Sequence, residues 1–182
     1  PVQPSLIATL EQLSWSTRVP PHLHPAHLFQ VEYQPVIELH HAAMDGEPST
    51  RASELIARNC IHAGVVHAIG CRRCLLSEVP LDAPLTVHVD GSLLDTAHLR
   101  ELELDGERGP AAAVGWLARQ LGRHRGGGDS DWSCLQRGTL VLTATPGGLH
   151  PITATQATVR VEFAGLVSTC TIVHDQAATG AA

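Results

Sequence analysis

Leu85, Val87 and Val89 alternate with polar residues and run straight into Asp90-Gly91. Alternation of this kind puts one side of a strand against a core and the other in water. An Asp-Gly pair tolerates the left-handed backbone that a two-residue type I′ turn requires, so residues 83–96 are expected to form a β-hairpin. Further apolar runs at 139–144, 157–163 and 167–174 read as strands. Between them, "GPAAAVGWLARQLGR" carries Pro110 early and Val114, Leu117, Ala118 and Leu121 at helical spacing. A helix over 110–122 is therefore expected, with Trp116, Leu117 and Leu121 in the core. Hairpins outnumber strand–helix–strand units, and the fold class this implies is α+β with a mainly antiparallel sheet.

The first half is less regular. Leu6, Ile7, Leu10 and Leu13 follow a Ser at helical spacing, which predicts a helix over 5–14. "RVPPHLHPAH" then interrupts regular structure with three prolines. "LFQVEYQPVIELHHA" alternates and reads as a strand, bent at Pro35. A helix is expected over 49–60, followed by the strand-like "GVVHAIG". A chain of 182 residues fits one domain. The expected organisation is a single domain over 1–175 with a flexible tail at 176–182.

Composition narrows the chemistry. No run of 18 apolar residues offers a membrane span. The absence of a basic segment leading into an apolar block makes the cytoplasm the expected compartment. A formal net charge of −6, with no basic stretch longer than "RHR", argues against nucleic acid as the main partner. All 12 cationic side chains are arginine, which removes Schiff-base chemistry and any lysine base from the inventory.

The five cysteines are an odd number and read as reduced thiols. "CRRC" at 71–74 is open to a redox role, or to half of a zinc site with Cys60, His62 or His67, but no second ligand pair stands at suitable spacing. No Gly-x-Ser-x-Gly element and no assignable Cys–His pair marks a nucleophile. Pro1 would be a low-pKa amine base if it were the true N-terminus. In "QVEYQPVIELHHA", Glu32, Glu38 and His40 share one face of a strand, which admits a metal site as well as an ordinary polar surface. The stretch "VLTATPGG" admits two readings: a strand-ending turn, or a ligand wall whose small residues let oxygens approach backbone N–H groups.

The succession of Asp90-Gly91, the helix element Ala113–Ala118, "GTLVLTA" at 138–144 and "GLVSTCTIV" at 165–173 resembles the fumarylacetoacetate hydrolase superfamily. Within it, the likeness is to the 2-keto-4-pentenoate hydratases and 4-oxalocrotonate decarboxylases. It covers residues 85–174 well and 28–75 thinly. The resemblance implies a curved, mainly antiparallel sheet with packed helices, a shortened N-terminal part, and lyase activity on a small 2-oxo or 2-hydroxydienoate acid. It also implies association, either as a homo-oligomer or with a related subunit.

The resemblance further implies a site. Thr143 matches the threonine that meets substrate oxygens, with Thr145 and Gly147 beside it, and Arg72 or Arg73 matches a substrate-binding arginine. The family's Mg²⁺ or Mn²⁺ is held by a Glu-x-Glu strand and a further acid. Here Glu32 takes the first position, the neutral Gln34 takes the second, and Ala68 and Cys71 fall where an acidic pair is expected. Such a metal would be held weakly or not at all. Two functions follow: a small-acid hydratase or decarboxylase built on Glu32 and Thr143, or a catalytically inactive family member serving as scaffold or partner subunit.

Overall fold

The computed structural model describes residues 2–11, 30–40, 62–124, 135, 139–143 and 146–173. Among these, eleven strands and one long helix follow the order β1 (Val2–Glu11), β2 (Gln30–His40), β3 (His62–His67), β4 (Arg72–Leu75), β5 (Pro84–Val89), β6 (Ser92–His98), β7 (Glu103–Leu104), β8 (Glu107–Arg108), α1 (Gly109–His124), β9 (Leu140–Leu142), β10 (Gln156–Phe163) and β11 (Leu166–Val173). Every pairing is antiparallel, and the mixed class is roughly α+β with few helices. The expected helix at 49–60 and the tail at 176–182 lie outside the described residues.

The first sheet has the order β3-β2-β1-β9, with β4 also paired to β2. β3 takes Val36 to His40 and β4 takes Gln30 to Tyr33. Pro35 falls in the interval between the two partners, where its missing N–H breaks no ladder bond. It pairs with Leu6 in unbroken register, and the irregularity in β2 comes instead at Leu39/His40.

The helix expected at 5–14 is not formed. Residues 2–11 are a strand that pairs with β2 at ten successive positions and with β9 at three. Val2, Ile7 and Thr9 suit a pleated strand, and a long partner on one side outweighs a locally helical spacing of leucines. Pro4 is tolerated because β9 reaches only Ile7 to Thr9, so at that position β1 has a partner on one side only.

The second sheet, β11-β10-β5-β6, contains the expected hairpin. Asp90 (φ 49°) and Gly91 (φ 81°) both adopt the left-handed conformation that a type I′ turn needs. The tip is tied down across the sheet: Asp90 N–H donates to Thr158 O at 2.9 Å and Asp90 Oδ1 accepts from Thr158 N–H at 2.8 Å. β9 does not join this sheet, although the sequence groups it with the strands of 85–174; it lies at the edge of the first.

The core lies between the two sheets. Val31, Tyr33 and Ile37 face inward from one, and Leu85, Val87, Val159, Val161 and Phe163 from the other. Tyr33 and Phe163 meet edge to face with ring centroids 6.0 Å apart, a favoured aromatic geometry. Along one side the sheets are joined by Ser168 Oγ–H donating to Val66 O at 3.0 Å and Ile69 N–H to Val167 O at 3.3 Å.

Helix α1 forms where expected. It buries Ala111, Val114 and Ala118, chiefly against the short turns at 76–78 and 99–101 and the β7–β8 hairpin. Trp116 is not in the core: it is 42% exposed. Two helical steps put it about 200° around the axis from the fully buried Val114. Leu117 is half-buried against the core. Among the described residues no helix is long and apolar enough to cross a membrane.

Candidate functional site

Cross-strand register decides which of the sequence-derived residues can meet. Val31 and Tyr33 are buried on the inner face of β2, so Glu32 and Gln34 between them belong to its outer face. Glu32 is level with Thr9 of β1, which is level with Leu140 of β9. On β9, Val141 is buried while Leu140 and Leu142 are exposed. Thr143, two residues beyond Val141, shares its side of the chain and is 1% exposed. Two inter-strand steps and three residues of strand separate the Glu32 and Thr143 backbones by roughly 14 Å. The sheet itself stands between their side chains, and the structure does not bring them together.

The two arginines also divide. Arg73 is the register partner of Glu32, and its guanidinium donates to Glu32 Oε1 at 2.6 Å on the outer face. Arg72 is the partner of Tyr33 and turns inward. Its guanidinium charge acts on the Tyr33 hydroxyl and lies beside the Gly165 turn. Burial dominates at Tyr33 and raises its pKa above 10.0, against the lowering pull of the Arg72 charge. The same alternation separates Cys71 from Cys74. Three residues of extended chain span about 10 Å, beyond disulfide reach, and neither cysteine is in a disulfide. Burial also pushes the Cys74 and Cys170 thiols up.

These positions do not fit the divalent ion that the resemblance implies. Glu32 is engaged by a guanidinium, Gln34 is neutral, and among the described residues no three His, Cys, Asp or Glu side chains form a metal-holding group. The hard oxygen donors that Mg²⁺ or Mn²⁺ requires are not assembled there.

A different constellation is assembled at the glycine-rich stretch. Asp95 stands opposite Val87 on the inner side of β6, the edge strand of the second sheet. Its Oδ2 accepts Gly148 N–H at 3.0 Å and lies 2.9 Å from His150 Nε2; its Oδ1 accepts Thr96 N–H at 2.7 Å. The Gly148 bond chiefly holds the Asp95 pKa below the ordinary carboxylate value, helped by His150 and Thr96 and opposed by partial burial. A Cβ at Gly148 would lie 3.3 Å from the His150 ring, a tight contact that the ring would have to yield to. Gly147 is half-buried in the bend just before it, and Thr145 lies outside the described residues.

Gly148 and His150 are thus pinned to the edge of the second sheet by one carboxylate. A carboxylate that holds an imidazole by one ring nitrogen fixes its orientation and leaves the other for proton exchange. Sequence reading passed over both residues of this pair. The signal available was a carboxylate at an inward register position of a strand; its partner, 55 residues away, left no trace in spacing. Compared with known proteins, the chain matches no family model and no curated protein.

Proposed function

We propose that the chain is a shortened, diverged relative of the fumarylacetoacetate hydrolase superfamily, in the hydratase/decarboxylase branch, that serves as a cytoplasmic scaffold or partner subunit. In this reading the β11-β10-β5-β6 sheet corresponds to part of that family's curved sheet. The observation that carries it is the division of the implied site. Glu32 is bound by Arg73 on one face of the sheet, and Thr143 is buried on the other. Without a metal beside the enolate of a 2-oxo acid, the main electrostatic stabiliser of that chemistry is lost. An exposed edge strand bearing Leu140 and Leu142 suits a chain that associates, as a homo-oligomer or with a related subunit.

A second reading keeps a ligand. The Asp95–His150 pair beside Gly148 occupies the stretch that the resemblance assigns to substrate oxygens, and favours binding, or hydration or decarboxylation, of a small 2-oxo or 2-hydroxydienoate acid. Calorimetric titration with Mg²⁺ or Mn²⁺ in the presence of oxalate or pyruvate separates the two. Micromolar binding of metal and acid together overturns the scaffold reading. Metal-independent binding of the acid, lost in His150→Ala, supports the second. No heat, with light scattering above the 19.4 kDa of one chain, supports the first.

A further inference from the structure

An edge strand offers its outward N–H and C=O groups to any other chain, and short length, charges and bulges blunt that offer. The β5–β6 ladder is irregular at Val87/His88 and β6 points Asp95 inward. β9 has three residues, and β4 carries Arg72 and Arg73. β11 has none of these guards: it pairs with β10 at eight successive positions, and residues 169–173, Thr-Cys-Thr-Ile-Val, hold no charge and no proline. Ala164 (φ 50°) and Gly165 (φ 79°) form a two-residue type I′ turn, so Phe163 and Leu166 are a hydrogen-bonded pair. Such pairs alternate along an antiparallel ladder. Leu166, Ser168, Cys170 and Ile172 therefore direct their backbone groups to β10, and Val167, Thr169, Thr171 and Val173 direct theirs to the outer edge. Two contacts agree with this phase: Thr158, opposite Thr171, bonds away from β11 to Asp90, and Val167 O accepts Ile69 N–H from outside. Among the described residues no backbone bond reaches Thr169, Thr171 or Val173 from that side, and all three are exposed.

We propose that residues 169–173 pair antiparallel with the same residues of a second copy of this chain, about a two-fold axis at Thr171. Ile69 already occupies Val167, so the open stretch is 169–173 and Thr171 is its midpoint. Thr171 then faces Thr171 of the second copy, and Thr169 faces Val173 on either side of it. All three pairs are made of outward-directed residues, which gives about six backbone hydrogen bonds in a self-complementary ladder. The side chains match as well. Cys170 and Ile172, half-buried at the rim of the core, meet one another across the axis, and threonine meets threonine, both favourable cross-strand neighbours. No like charges are brought face to face: Arg160 is level with Thr169, whose new partner Val173 is level with the neutral Gln156. The proposal rests on the associating reading above and names the edge and the partner through which it acts.

The test is sedimentation equilibrium of the full chain, with oxidative cross-linking as a second readout. A dimer of twice 19.4 kDa is expected at tens of micromolar. Thr171→Pro removes an outward N–H and leaves the bonds to β10 in place, so it should weaken the dimer at least tenfold while circular dichroism stays unchanged. Thr171→Lys, which sets two like charges opposite each other, should do the same and decides the matter if the proline variant fails to fold. Hydrogen-bonded partners have Cα atoms about 5.5 Å apart, within disulfide reach. Thr171→Cys should therefore cross-link to itself on oxidation beyond the wild-type background, and Thr169→Cys, whose mate lies four residues out of register, should not. A wild-type monomer overturns the proposal. A dimer that persists in both Thr171 variants, or cross-links as well through position 169, overturns this edge and leaves the associating reading standing. Micromolar binding of metal and acid together overturns that reading instead.

Discussion

Asp95 and His150 stand 2.9 Å apart, one on the edge strand β6 of the second sheet and the other in the stretch that follows β9 of the first. The contact ties the glycine-rich segment to a strand that precedes it by 55 residues. Because Asp95 also accepts the Gly148 and Thr96 N–H groups, it anchors that segment rather than merely touching it.

Replacing Asp95 by Asn keeps the shape and removes the charge. A stability loss of about 1–2 kcal/mol is expected, the range for hydrogen bonds to a charged group less the screening of a partly exposed site. The sign with pH follows from the lowered pKa: the carboxylate's contribution is present above its ordinary value of 3.8 and fades as pH falls through the depressed folded value. Urea unfolding of both proteins should therefore differ at pH 7 and converge in strong acid. Equal midpoints at pH 7 would remove the anchoring role.

Tyr33 is the only tyrosine in the chain, so alkaline absorbance titration reads it alone. Burial raises its pKa, so the midpoint should lie above 10.0 in the folded protein. A raised value favours the protonated folded form; the stability it contributes is present below 10.0 and is lost as pH rises through the folded pKa. A midpoint at or below 10.0 in folded protein would contradict the burial seen here.

Val114 and Trp116 provide an internal comparison on α1. Val114→Ala should cost roughly 2 kcal/mol, because the buried site cannot fully close around the missing methyls. Trp116→Ala should cost less, because the indole is 42% exposed and its loss opens no enclosed cavity. Thermal unfolding of the two variants checks the helix's rotation: a larger loss at 116 than at 114 would mean the helix presents its other face.

The Glu32–Arg73 pair is short, at 2.6 Å, yet its side chains are 32% and 55% exposed. A double-mutant cycle with Glu32→Gln and Arg73→Gln should give a coupling of only about 0.5 kcal/mol, falling further at high salt. A coupling of several kcal/mol would mean the pair is sequestered, and that Glu32 is held by more than a surface contact.

Period-two alternation and turn chemistry determined much of this fold. Leu85, Val87 and Val89, the Asp90-Gly91 turn, the Pro110 helix start and the strands at 156–163 and 166–173 all follow from preferences that act over a few residues. The same parity rule separates Glu32 from Tyr33 and sends Arg72 and Arg73 to opposite faces. What the sequence did not reveal is which strands become neighbours. Residues 2–11 carry a helical spacing, and only the ten-position ladder offered by β2 makes them a strand. Once β1 lies between β2 and β9, Thr143 and Glu32 fall on opposite faces, and the two residues that the sequence pairs in one site cannot meet. Asp95 and His150, which nothing local connects, are joined instead. Pairing across long stretches of chain is settled by the burial of whole sheet faces, a property of the assembled core that no short segment encodes.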